Sequence, residues 1–109
     1  MTDRELLEAA AKAAGISYQI TNDGRFSLPV RSDGSIYWNP LTDDGDALRL
    51  AVKLCIDLQN VYNAGGVFVS IIAHPARRGE CDAEEPFALD PYAATRRAVV
   101  RSAAEIGSL

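Results

Sequence analysis

Five arginines stand close enough in the chain to suggest an anion-binding site. Arg77 and Arg78 lie in a polar segment, and Arg96, Arg97 and Arg101 lie in the C-terminal segment beyond it. A guanidinium group presents a planar fork of donors that matches phosphate and carboxylate oxygens. The five side chains could therefore converge on a small anionic ligand, although a solvated helix face would use the same residues and is the interpretation that we favour.

His74 is the only histidine and directly follows a strongly apolar run, residues 67–73. An imidazole beside a carboxylate such as Glu80 or Asp82 could serve an enzyme of nucleotide or nucleic-acid metabolism as a general acid or base. No Gly-x-Ser-x-Gly or Ser-x-x-Lys nucleophile motif accompanies it. We therefore predict no catalytic residues, and we interpret His74 as a turn residue that could contact a ligand.

Trp38 is the aromatic candidate, with Tyr37 before it and Pro40 shortly after it. Its indole ring could stack on a nucleobase or another ring of a ligand. It could equally close one end of the hydrophobic core, which is the interpretation that we favour.

The stretch LTDDGDA, residues 41–47, places three aspartates around a glycine at the start of an apolar run. A calcium-binding loop of the EF-hand type needs an oxygen ligand at its third position and a carboxylate at its twelfth. Counted from Asp43, those positions hold Gly45 and Leu54. We interpret these aspartates as helix-capping groups that accept backbone N–H donors, and we predict neither a metal nor a cofactor.

Local patterns predict the elements that must position these residues, in the order α-β-β-β-α-β-β-α. Thr2 and Glu5 form a capping box before a helix that Gly15 ends, and Asp90 and Pro91 begin the last helix. The predicted elements are a helix at 3–14, strands at 16–20, 25–30 and 36–38, a helix from 42–46 to 58, strands at 60–63 and 67–73, a polar loop at 74–89, and a helix at 91–106.

The second predicted helix has little polar surface, because its few charged residues fall on one narrow stripe. A helix of this kind must be covered on more than one side. We predict that the sheet covers one side and that a neighbouring helix or a second subunit covers another, which favours a homodimer. The apolar, β-branched run 67–73 predicts a central strand buried on both faces by helices.

Taken together, the elements predict one α+β domain over residues 1–109, in which a small, mainly antiparallel sheet is layered with helices as an alpha–beta–alpha sandwich. The net charge of −4 makes nucleic-acid binding unfavourable. No apolar stretch approaches the roughly 18 residues of a membrane span. Cys55 and Cys81 form no Cys-x-x-Cys pair, and free thiols are typical of a reducing cytoplasm.

Two blocks of the sequence resemble a known family. YWNPLTDDGDALRLAVKL at 37–54 and DPYAATRRAVVRSAAEIG at 90–107 are similar to the two hallmark blocks of the phage ABA sandwich domain, and together they cover about a third of the chain. The resemblance implies a layered alpha–beta–alpha fold, a bacteriophage or prophage origin and the cytoplasm of a bacterial host. It implies no particular activity and no catalytic residues.

The sequence therefore predicts a small, non-catalytic phage accessory domain that binds a host or phage protein or a small anionic ligand. Three alternatives remain at this point. The chain could be an enzyme that uses His74, a sponge that sequesters the nucleotides of a host defence system, or a DNA-associated protein.

Overall fold

A computed structural model describes residues 1–29, 36–76 and 79–109. Within these ranges the chain forms three helices and two antiparallel sheets, which confirms the predicted α+β class. The elements are α1 (Asp3–Ala14), β1 (Gln19–Ile20), β2 (Phe26–Ser27), β3 (Tyr37–Trp38), α2 (Asp44–Lys53), β4 (Ile56–Tyr62), β5 (Phe68–Pro75), β6 (Ala83–Pro86) and α3 (Pro91–Gly107), with one turn of 3-10 helix at Gly79–Cys81.

The predicted caps of α1 are present at both ends. The Thr2 hydroxyl accepts from the amide of Glu5, and the Glu5 carboxylate accepts from the amide of Thr2. These contacts with Thr2 hold the pKa of Glu5 below its usual range, because they stabilise the charged carboxylate. Gly15 then ends the helix in the left-handed conformation, at a φ of 68°.

Helix α3 lies at the centre of the molecule, between α1 on one side and the second sheet on the other. Its contact with α1 consists largely of small side chains, so the two helix backbones come close together. A methyl group added at Gly107 would lie 1.9 Å from the carbonyl oxygen of Ala9. The buried small residues of the two helices include Ala10, Ala11 and Ala14 on α1 and Ala98, Ala103 and Ala104 on α3.

The first sheet has the order β1-β2-β3 and is very short. Phe26 pairs with Trp38 across β2 and β3, and the ring of Tyr18 lies 4.5 Å from that of Phe26 between centroids. Phe26 and Trp38 belong to the hydrophobic core cluster, and Tyr18 packs against it.

The second sheet has the order β4-β5-β6, so that β5 is its central strand, as predicted. Its inner face carries Ile71 and Ala73, which are buried. Its outer face carries Ser70, Ile72 and His74. Burial of β5 on both faces was the expectation. On the outer face Ser70 is buried, but Ile72 and His74 are only half-buried, because α2 and α3 both pack on the inner face.

The predicted elements are wrong in two regions of the chain. Helix α2 ends at Lys53, and the predicted helical residues 56–58 belong to β4. The chain reverses at Cys55, which has a positive φ of 54° although it is not a glycine. The predicted loop 74–89 contains the end of β5, the 3-10 turn and all of β6. Strand β6 is acidic and contains a proline, so its sequence lacks the apolar alternation that predicts a strand.

No helix in the described parts of the chain has the length and apolar character needed to cross a membrane.

Candidate functional site

The aspartate-rich stretch before α2 closes a hydrogen-bonded turn. The Asp43 carboxylate accepts from the amide of Asp46 at 2.8 Å, which makes Asp43 the N-cap and agrees with the capping role predicted for these aspartates. Asp46 is only 3% exposed, and its carboxylate accepts from the amide of Asn39 at 3.0 Å and from Arg49 at 2.9 Å. These carboxylate oxygens are thus engaged by donors of the chain itself.

Arg96 stabilises the start of α2 from the neighbouring helix. Its Nη1 lies 2.7 Å from Asp44 Oδ1, and its Nε donates to the carbonyl oxygen of Leu41 at 2.8 Å. The Arg96 side chain is largely buried by these contacts. It therefore joins α3 to the turn before α2.

Arg97 and Arg101 meet at a different place, around the carboxylate of Glu85 on β6. Arg97 Nε lies 3.1 Å from Glu85 Oε1, and Arg101 Nη1 lies 3.1 Å from Glu85 Oε2. Arg97 also pairs with Asp3 at 3.1 Å. The three α3 arginines are thus divided between two clusters, and each cluster already contains a carboxylate of the chain.

Two of the predicted anion-binding residues, Arg77 and Arg78, lie outside the described residues.

His74 lies on the outer face of the second sheet between two polar side chains. Its Nδ1 is 2.8 Å from Asp82 Oδ2 and its Nε2 is 2.8 Å from Gln59 Oε1. Both oxygens only accept, so both ring nitrogens donate when the imidazole is protonated. With the Gln59 amide turned over, its NH₂ group would instead donate to Nε2 of the neutral ring.

A hydroxyl group shares this face with His74 but does not approach it. Ser70 stands four residues earlier on β5, which corresponds to roughly 13 Å along a strand. The Ser70 hydroxyl donates to the Glu84 carboxylate at 2.6 Å. Ser70 and His74 therefore cannot form a nucleophile–base pair in this arrangement.

Trp38 lies in the core. It is 4% exposed, and its ring centroid is 6.0 Å from that of Phe26. The ring therefore serves packing between the first sheet and the helices, which is the arrangement that we favoured from sequence.

A surface groove that the sequence did not reveal runs between α2 and α3. Its volume is about 380 Å³, its walls are the two helices, and its floor is the inner face of β4 and β5. Three large apolar side chains at this groove are exposed: Leu48 by 65%, Leu58 by 44% and Tyr92 by 72%. The thin polar stripe predicted for the second helix partly indicated this groove, because Leu48 belongs to the broad apolar surface that the stripe leaves on the helix.

Comparison with protein-family models, curated proteins and solved structures found no match to this chain. The resemblance to the phage ABA sandwich domain thus stays a prediction.

Proposed function

We propose that this chain is a non-catalytic binding domain that recognises a protein partner through the groove between α2 and α3. The observation that supports this function most strongly is the convergence of Leu48, Leu58 and Tyr92 on one concave apolar surface. Single exposed apolar residues are ordinary, but a cluster around a concavity is typical of a binding site.

The groove has a polar end as well as apolar walls. Asp44 and Arg96, which pair with each other, line it beside Thr95. A partner that places apolar side chains between the two helices could form hydrogen bonds at this end. This combination of apolar walls and a few polar groups favours a protein segment over a small charged molecule.

We also propose that the protein is a homodimer. Val52 of α2 is 69% exposed, one helical turn beyond Leu48, whereas Ala47, Leu50 and Ala51 of the same helix are buried. The unburied apolar strip on α2 agrees with the expectation that a second subunit covers this helix. Light scattering that gives twice the chain mass of 11.7 kDa would support the dimer.

A small anionic ligand, including a nucleotide sequestered from a host defence system, is a weaker proposal. Arg97 and Arg101 line a surface cavity of about 530 Å³ beside Met1 and Leu109. An anion bound there would compete with Glu85 for both guanidinium groups. A thermal-shift panel of cyclic and ADP-ribose nucleotides tests this alternative, and no stabilisation at saturating ligand would argue against it.

One observation favours an enzymatic alternative, the contact between His74 and Asp82. A carboxylate can orient an imidazole for proton transfer. Against this alternative, the second ring nitrogen is engaged by Gln59, and Ser70 is too distant to be activated. Nucleotide hydrolysis that is lost in His74→Ala would support the enzyme, whereas equal turnover in the two proteins would exclude this residue.

The origin and location are also proposals. A phage or prophage accessory protein in the cytoplasm of a bacterial host agrees with the two sequence blocks at 37–54 and 90–107, and a coding region flanked by phage genes would support it. The acidic charge of −4 gives a DNA-associated role the least support. A salt-dependent gel shift with DNA would revive that role.

The binding proposal is tested by capturing partners on the immobilised protein from a bacterial lysate. We expect a defined protein to be retained by the wild type and lost with Leu48→Asp or Tyr92→Asp, because each places a charge in the groove. Leu89→Asp is the matched control, since Leu89 is fully exposed and does not line the groove. Retention of the same proteins by all four baits would rule out the groove as the binding site.

A further inference from the structure

The two edges of the second sheet differ in how their backbone groups are used. The edge formed by β6 is four residues long and ends in Pro86, which has no amide donor. The carbonyl oxygen of Glu84 points away from β5 and accepts from Arg101 Nη1 at 2.9 Å. This edge is thus protected by shortness, proline and charge, the usual means of preventing strand addition.

The edge formed by β4 is longer and less protected, although a register shift between Val61 and Tyr62 interrupts its regular pairing with β5. It is seven residues long, contains no proline and has Asp57 as its one charged residue. Sheets that leave such an edge open present a template for another strand.

The alternation of hydrogen-bonded and non-hydrogen-bonded pairs along β4 shows which of its backbone groups point away from β5. The carbonyl oxygen of Cys55 accepts from the amide of Ala76 at 3.0 Å, so this pair is a hydrogen-bonded one. Hydrogen-bonded and non-hydrogen-bonded pairs alternate in an antiparallel ladder. The backbone groups of Ile56, Leu58 and Asn60 therefore point away from β5. Within residues 1–29, 36–76 and 79–109, these outward groups have no hydrogen-bond partner.

We propose that β4 pairs in antiparallel fashion with β4 of a second copy of this chain, so that two three-stranded sheets join into one six-stranded sheet. The inference rests on the proposed self-association and identifies its interface. A two-fold axis through this edge would give each outward amide a carbonyl oxygen of the other copy.

A second copy suits this edge in side-chain terms as well. In the register that places Leu58 opposite itself, Asp57 stands opposite Gln59 of the other copy, so no like charges face each other. Leu58 lies on the inner face, where α2 also packs. The two copies of α2 would therefore flank the joined strands, with Leu48 and Val52 near the interface.

The experiment compares the dimer dissociation constants of wild type, Leu58→Lys and Leu89→Lys by sedimentation velocity over a range of concentrations. Leu58→Lys places two positive charges opposite each other at the centre of the interface. We expect its dissociation constant to rise by about tenfold or more. Leu89→Lys adds the same charge away from the edge and should match the wild type.

Hydrogen–deuterium exchange of the wild type provides a readout that does not depend on the folding of a variant. The amides of Leu58 and Asn60 should gain protection as the protein concentration rises, and circular dichroism should confirm that Leu58→Lys is folded.

The two proposals fail in different ways. A wild-type monomer at every concentration would overturn both the self-association and its interface. A wild-type dimer that Leu58→Lys leaves intact, with fast exchange at Leu58 and Asn60, would overturn the interface alone. The self-association would then depend on α2, and Leu48→Lys would disrupt it.

Discussion

At the scale of the residue, Asp46 shows that a carboxylate in a stretch that resembles a metal-binding loop can have a structural role. Its side chain is buried, accepts from the amide of Asn39 and pairs with Arg49. The carbonyl oxygen of Asn39 in turn accepts from the amides of Thr42 and Asp43. The residues before α2 therefore form one closed hydrogen-bonded unit, in which Asp46 is the buried acceptor.

We expect Asp46→Ala to lower the free energy of unfolding by about 1–3 kcal/mol, because it leaves the half-buried amide of Asn39 without its acceptor. Asp44→Ala is the control. It removes the ion pair between the exposed Asp44 and Arg96, which keeps its hydrogen bond to the carbonyl oxygen of Leu41, so we expect a smaller loss than for Asp46→Ala. Urea denaturation measures both changes, and equal losses would contradict the structural role given to Asp46.

At the scale of the element, the junction between α2 and β4 determines the architecture of the second sheet. The reversal at Cys55 requires a positive φ, and glycine is the residue that adopts this conformation without strain. Because the sequence has no glycine or proline there, its apolar run continues into β4 without a visible stop. The helix prediction therefore extended to residue 58.

Substitutions at this junction should separate backbone strain from side-chain contacts. We expect the free energy of unfolding of Cys55→Gly to equal that of the wild type or to exceed it by up to about 1 kcal/mol, because a residue other than glycine is strained in the left-handed conformation. Cys55→Val should lower the stability by about 1 kcal/mol or more, because a β-branched side chain tolerates this conformation worst. Chemical denaturation provides the ranking, and a valine variant as stable as the glycine variant would contradict the strain.

The contact between α1 and α3 supports a second prediction at this scale. We expect Gly107→Ala to lower the free energy of unfolding by about 1–3 kcal/mol, because its new methyl group would collide with the Ala9 carbonyl and push the helices apart. Gly65→Ala is the matched control, since its methyl group would meet no atom closer than 3.4 Å. Equal thermal midpoints for the two variants would show that the helices do not lie this close.

At the scale of the whole molecule, several apolar side chains lie outside the core that α3 organises. Leu48, Val52 and Leu58 are exposed beside the open edge of the second sheet. A chain of this size buries limited apolar area on folding, so covering this surface in a dimer would add to its stability.

Coupling between folding and dimerisation leads to a prediction for the thermal midpoint. We expect the midpoint of the wild type to rise with protein concentration over about a hundredfold range, because mass action favours an associated folded state. Leu58→Lys should show a smaller dependence, and Leu89→Lys should follow the wild type. Differential scanning calorimetry measures the dependence, and a midpoint independent of concentration in the wild type would contradict the dimer.

The sequence alone determined the features that depend on near neighbours. The capping box of Thr2 and Glu5, the left-handed Gly15 and the start of α3 after Asp90 each use partners within a few residues, so their patterns are legible in the chain. The central position of β5 was also predictable from its apolar, β-branched run, whereas the predicted burial of both its faces was not realised at Ile72 and His74.

Tertiary structure alone decided the features that depend on residues far apart in the chain. Glu85 occupies the space between Arg97 and Arg101 only because β6 packs beside α3, and no local pattern announces that strand. The groove likewise exists because α2 and α3 meet above β4. The pairing of charges and the exposure of apolar side chains are set by packing between elements, and a linear pattern records only the order of those elements.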